Sequence, residues 1–296
     1  MPNRTGPNNV AERLGSTARG VARSFPTAEA HLRYALNVAN RTADDSTAAV
    51  FPCDAALYDG TNDSVSRGSV SGGPRDWTNS ADSKVGIISF WFLMTAGSDG
   101  EEMWPYDSGT SGTGTANRVY VQRQTGNAFF VVGKNASGSS ILEMNSSAYA
   151  VDGNWHHFIA SWNLAGTEGW LYVDGVEDQQ DGSPTFTDDD MDHTVAEHWI
   201  GGPAGHAMNM AMAEYYFNID TYLDLSVAAN VLKFRSTAGK PVDLGADGST
   251  PTGVIPTGYF HLDDGETANN FATNAGDGGG CTVAGALTTA SSSPSD

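Results

Sequence analysis

The sequence predicts an all-β, antiparallel β-sandwich with a partly helical N-terminal arm, and three observations predict it. Short apolar runs recur every ten to fifteen residues, with Gly, Asn, Asp or Ser at each break. Glycine is heavy, at 35 of 296 residues, and supplies the positive φ that tight turns need. Hydrophobic residues make up 39% and charged residues 17%, a balance that can build a full core and argues against disorder of the whole chain.

Residues 1–50 stand apart from this pattern. They show little alternation, and their one helical stretch is 27–41, where Ala30, Tyr34 and Val38, and Leu32 and Leu36, fall near helical spacing after a weak cap at Thr27. Residues 1–41 carry six Arg against two Glu, a net of +4; the other 255 carry nine Lys and Arg against 33 Asp and Glu, a net of −24. The opposed signs predict an arm that docks on a partner, with Leu14, Phe25, Leu32 and Tyr34 as its apolar anchors. From residue 51 to 296 a single sandwich is expected, closing strands included.

Within it, AALYDG and DSVSRG flank a turn at Thr61-Asn62, and VGIISFWFLM (85–94) is apolar on both faces, as a strand covered on each side must be. Strands follow at 118–124, 128–135, 139–146, 154–163, 169–178, 197–202 and 212–220. In WHHFIASW, Trp155, His157, Ile159 and Ser161 point one way and His156, Phe158, Ala160 and Trp162 the other. Asp174-Gly175 signals a two-residue hairpin turn. Segment 221–236 predicts a short closing helix, 258–264 and 278–290 late strands, and the last six residues a tail.

Three stretches resemble laminin-G-like, concanavalin A-like jelly rolls: ALYDGTNDSVSRG (56–68), DGNWHHFIASWN followed by GWLYVDGVED, and EHWIGG with MAEYYFNID. The resemblance covers about residues 54–220 and implies a jelly-roll binding or structural module. Two further stretches, KFRSTAGKPVDLGADGSTPTG and NAGDGGGCTVAGALTTASSSPS, are similar to C-terminal segments of laminin-G-like proteins of tailed phages and prophages. That likeness implies a homo-oligomeric virion protein, either head decoration or tail fibre, contacting other virion proteins through the arm. The alternative is a carbohydrate-binding lectin, calcium-dependent in some relatives, that adsorbs to a host-surface glycan.

Enzymatic chemistry has few footholds. Glycosidases of this fold carry carboxylates spaced E-x-D-x-x-E on one strand, and no such triplet occurs. Glu101-Glu102 and Asp188-Asp189-Asp190 are consecutive, so a strand would aim them to opposite faces, and no G-x-S-x-G, P-loop or H-E-x-x-H is present. No catalytic residue is assigned. His156 and His157 are strand neighbours and cannot share one metal ion. The resemblance places a calcium site at the first turn, where Asp59, Asn62 and Asp63 offer hard oxygens, although Asp-Gly and Asn-Asp steps also simply make turns.

Sugar binding asks for an aromatic face beside polar groups. Trp104 and Tyr106, in the polar stretch 97–117 read as a loop, are the candidates. Trp104-Pro105-Tyr106 is equally able to fold back over the sandwich or to bury in a neighbouring subunit. The acidic body disfavours nucleic acid. No run of eighteen apolar residues marks a membrane span. The polar N-terminus lacks a signal peptide's apolar stretch, so synthesis in a cytoplasm is expected, and the phage resemblance implies a host cytoplasm and residence in the virion. Cys53, before the first strand, and Cys281, in the last, are expected to lie close, within reach of a bridge.

Overall fold

The apolar runs pair into two antiparallel sheets in the computed structural model, which describes residues 51–67, 77, 81–109, 116–180, 182–195, 197–202 and 208–296. These belong to one compact unit, Val50–Asp296. The predicted helix at 27–41 and the anchors Leu14, Phe25, Leu32 and Tyr34 lie outside the described residues.

In chain order the strands are β1 (Ala56–Asp59), β2 (Ser64–Arg67), β3 (Val85–Met94), β4 (Met103–Ser108), β5 (Arg118–Arg123), β6 (Ala128–Lys134), β7 (Ser140–Ala148) and β8 (His156–Asn163). They continue as β9 (Glu168–Val173), β10 (Val176–Glu177), β11 (Thr185–Phe186), β12 (His198–Ile200), β13 (Asn209–Asn218), β14 (Gly258–Phe260), β15 (Thr282–Ala284) and β16 (Thr288–Thr289). The first sheet runs β10-β9-β8-β3-β13-β1-β16, with β14 also on β13; the second runs β11-β7-β6-β5-β4-β12-β2-β15.

Alternation explains which side chains meet between the sheets. Ile88, Phe90, Phe92 and Met94 of β3 face Phe129 and Val131 of β6 and Met144 of β7 in one core, joined by Phe158, Ala160 and Trp162 of β8. Phe90 stacks on Phe158 at 4.8 Å between ring centroids and on Tyr215 at 5.8 Å. Trp162 reaches across Gly86, where a β-carbon would come within 2.3 Å of its ring. Of the three tryptophans in and around the signature hairpin, only Trp162 fills this core. Trp155 and Trp170 pack on the other face of the first sheet.

That other face is itself covered, which is why β3 is apolar on both sides. Ile87, Ile159 and Tyr216 lie under Leu225, Val231, Phe234 and Leu244 of the segment after β13. The helix expected over 221–236 is a single turn, α1 (Ala228–Val231), entered through an Asp224 turn in which the Ser226 amide donates to the carboxylate. Beside it Trp91 and Ala213 lie under Cys53 and Ala55. The predicted tail is docked there: Ser295 Oγ donates to the Cys53 carbonyl at 3.1 Å.

The final predicted strand divides in two. β15 pairs with β2 of the second sheet and β16 with β1 of the first, with Gly285 (φ 77°) at the crossing. Its missing β-carbon matters, because one would fall 2.2 Å from Asp63 Oδ1. Cys53 and Cys281 do not bridge: both are free thiols, Cys53 on the outer cluster with Trp91 and Cys281 against the inter-sheet core. Burial pushes the Cys281 thiol up to about 12, so it is an inert, protonated packing group.

Candidate functional site

The second sheet turns its inner face to the core, and the same alternation fixes what its outer face displays. Val119 and Val121 point inward, so Arg118, Tyr120 and Gln122 of β5 point outward; Phe129 and Val131 inward set Phe130 and Val132 of β6 outward. Ile200 is in the core and His198 stacks with Tyr106, so Trp199 of β12 faces out. Register aligns these into a row, Trp199–Asp107–Tyr120–Val132–Glu143, one residue per strand. Of these, Tyr120 and Glu143 are half-buried, whereas Trp199, Asp107 and Val132 are buried.

An arginine holds the row's middle together. Arg118 donates from Nε to Asp107 Oδ1 at 2.7 Å and from Nη2 to Oδ2 at 2.9 Å. Its guanidinium lies 4.6 Å from the Trp104 ring and 4.9 Å from the Tyr120 ring, which are 5.2 Å apart. Burial pushes the Tyr120 phenol up, so it stays a neutral hydroxyl. Tyr120, Phe130, Lys134, Glu143 and Asn145 are all half-buried, so aromatic faces stand beside amide, ammonium and carboxylate groups. Such a surface can stack a flat apolar ring face and bond its hydroxyls.

The sequence-predicted residues distribute differently. Stretch 97–117 is not one loop: Met103–Ser108 is β4, with a register shift between Met103 and Tyr106 that accommodates Pro105. Tyr106 points into the core, its hydroxyl 3.0 Å from His198 Nδ1, and cannot touch a ligand. Trp104 is on the outward face but only 5% exposed, packed against Arg118 and Tyr120. Trp104 and Tyr106 are therefore both buried, and the half-buried aromatics of this face are Tyr120 and Phe130.

The first turn does not fit calcium. Asp63 is buried, and its two oxygens accept the Ala286 amide at 2.8 Å and the Asp59 amide at 3.0 Å. Asp59 accepts the Thr61 amide, closing the turn, and Asn62 is exposed. Among the described residues no group of three His, Cys, Asp or Glu could hold a metal ion. These carboxylates are spent on the backbone, which joins the first turn to the chain's last crossing.

The histidines separate as alternation requires. His156 Nδ1 lies 2.6 Å from Asp174 and Nε2 3.1 Å from Asp152, and the Asp174 bond holds its pKa above the ordinary value. His157 is wholly buried, 2.8 Å from Ser89 Oγ, and burial pushes it down to about 3. The Ser89–His157 contact looks like a nucleophile and base, but it lies under Trp91, and neither side chain has access to solvent. Asp188 pairs with Lys84 and Asp189 accepts from Asn135, so the acidic run ties loops together.

The model for the concanavalin A-like lectin/glucanases superfamily, of laminin G type, matches residues 67–214, half of the chain. The chain belongs to this superfamily. No curated protein matches it. Among solved structures, a Bacteroides ovatus protein assigned by its name to carbohydrate binding aligns at 13% identity over 81% of this chain and 60% of that one, with a TM-score of 0.51. The binding domain of botulinum neurotoxin DC in complex with SialylT (16% identity, 50% and 35%, TM-score 0.39) and the LG4-5 domains of mouse laminin α1 (14%, 61% and 46%, 0.37) align more loosely. The chain spans between 35% and 60% of the length of these relatives, and the likeness shows the fold alone.

Within this concanavalin A-like sandwich, Tyr120 and Phe130 are the residues that sequence reading missed. RVYVQRQ and AFFVVGKN were legible as strands, and their alternation would have put both aromatics on one face. Which face looked outward depended on the covering of the first sheet, and no local signal carries that.

Proposed function

We propose that the protein is a non-enzymatic virion component of a tailed phage that presents its sandwich outward to bind a host-surface glycan. The observation that carries the binding reading is the outer face of the second sheet, with half-buried Tyr120 and Phe130 among half-buried Asn145, Glu143 and Lys134. A surface with both apolar ring faces and dense hydrogen-bonding groups suits a carbohydrate, which has both. The carbohydrate-binding assignment of the Bacteroides relative agrees with this reading.

The virion reading is supported by the likeness of segments near 233–253 and 274–295 to phage laminin-G-like proteins, and by the +4 arm against the −24 body. The arm would anchor the protein to other virion proteins, and a homo-oligomer would multiply weak sugar contacts. A glycan array read with the full chain and with Tyr120→Ala and Phe130→Ala tests the binding site. Binding that survives both substitutions removes it from this face. Deleting residues 1–45 tests the anchor: particles should lose the protein while the sandwich keeps its unfolding transition.

A further inference from the structure

The closing segment at one edge of the sandwich belongs to both sheets. Residues 281–296 supply the outermost strand of each, β15 beside β2 and β16 beside β1. They are lightly held: β16 is exposed, β15 is exposed apart from half-buried Val283, and Leu287 is buried. Gly280 leads into the segment, at a place where a β-carbon would meet nothing within 4 Å. Just before it Gly278 is pinned, its amide donating to the Thr257 carbonyl at 2.9 Å. A hinge between a fixed body and a thinly buried strap is where local opening starts.

A buried cation anchors the start of this strap. Arg67 is 5% exposed, and its Nη1 donates to the Gly280 carbonyl at 2.9 Å. Directly across the β2–β12 ladder stands His198, 1% exposed. Trp77 covers both, its ring 5.0 Å from the imidazole and 6.0 Å from the guanidinium. Gly278 packs on the same ring so closely that a β-carbon would fall 2.8 Å from it. Hinge, cation and histidine therefore form one cluster.

The imidazole is held neutral. Trp77 Nε1 donates to the Tyr106 hydroxyl at 3.5 Å, and that hydroxyl gives its own proton to His198 Nδ1 at 3.0 Å. The ring proton is then on Nε2, which the Val195 and His193 carbonyls approach without a full hydrogen bond. A second proton would break this relay and set a buried cation opposite Arg67, and like charges across a ladder destabilise it. His193, buried with both ring nitrogens unpartnered, adds to the repulsion, and Asp192 acts on His193. Burial keeps Tyr106 and Cys281 protonated and neutral. Burial, with His193 and Arg67 adding to it, pushes His198 down to about 3. Opening at Gly280 lifts Cys281 off Arg67 and lets water reach the pair, so His198 regains its ordinary 6.5. Closure is complete above that pH, and opening gains about ten-fold per pH unit below it.

We propose that the His198–Arg67 pair is an acid-sensitive latch: protonation of His198 releases residues 281–296 while the rest of the sandwich stays folded, leaving β1 and β2 as open sheet edges. Hydrogen exchange of the full chain from about pH 7 to about pH 4.5, corrected for intrinsic rates, tests it. Protection of the β15 amides and of the Ala290 amide, which bonds the Ala55 carbonyl, should fall about ten-fold or more per pH unit below 6.5. The amides of β3 and β8 should keep theirs. In His198→Asn, whose amide oxygen can still accept the Tyr106 hydroxyl, the fall per unit should be about ten-fold smaller. In Arg67→Met the strap should already be less protected at neutral pH. The proposal is overturned if strap protection is independent of pH, if β3 and β8 lose theirs in step, or if Arg67→Met leaves the strap unchanged. A slope that survives in His198→Asn would assign the release to Asp63, which accepts the Ala286 amide, and overturn it as well. The imidazole NMR signal needs no variant: His198 should stay neutral until the strap opens, and a His198 titrating near 6.5 beneath a closed strap contradicts the latch.

Discussion

Glu214 shows how a single residue carries a cost inside this fold. It sits at the bulge of β13 with φ 47° and is 2% exposed, one oxygen accepting the Tyr259 hydroxyl at 2.7 Å and the other unpartnered. Burial, with Asp263 and Asp243 adding to it, pushes its pKa up to about 8. The folded state therefore holds a proton that the unfolded chain releases above about pH 4.5, so the stability tied to this group is intact below that pH. It falls as pH rises toward 8, by a few kcal/mol in total (about 1.4 kcal/mol per pKa unit). Glu214→Gln should keep the Tyr259 bond and flatten this slope, which urea unfolding from pH 4.5 to 8 would measure. An unchanged slope in the variant would mean that Glu214 titrates normally. Nothing in MAEYYFNID announced this: the glutamate falls in an apolar strand, and the bulge that turns it inward is a tertiary event.

Among the elements, those with a clean local signature were legible. β3 falls on the predicted 85–94, and the hairpin turn has positive φ at both centres, 53° at Asp174 and 78° at Gly175. β4 was not legible, because Pro105 cannot donate to a ladder and glycine and serine crowd its flanks. Pairing with β5 and β12 overrides that weak propensity, and with β4 unseen the outward position of Trp104 and Asp107 was unseen too. The closing helix is present but only one turn long, for the converse reason. Segment 221–236 has helical spacing, but its apolar residues are held by the first sheet's outer face, and one turn suffices to deliver them. The β3–β8 contact makes a sharp test. Gly86→Ala puts a β-carbon 2.3 Å from the Trp162 ring, so it should destabilise the sandwich by about 1–3 kcal/mol in denaturant unfolding. Gly86→Ala combined with Trp162→Phe should recover part of that loss.

At the scale of the whole molecule, the two sheets differ in how they are finished. The first is covered on both faces, inward by the second sheet and outward by Cys53, the segment after β13 and the docked C-terminus. On the second, Tyr120, Phe130 and Glu143 of the outer face are half-buried, beside buried Trp199, Asp107 and Val132, with Arg118 bracing Asp107 and Tyr120. No helix among the described residues is long and apolar enough to cross a membrane. Under the proposed function, one sheet serves as the scaffold and the other as the binding surface. Hydroxyl-radical footprinting of the full chain with and without a glycan selected on the array tests that claim most directly. The account predicts strong protection of Tyr120 and Phe130, with buried Tyr106 unreactive in both states. Binding of that glycan with Tyr120 and Phe130 as reactive as before, and protection found elsewhere, would contradict it.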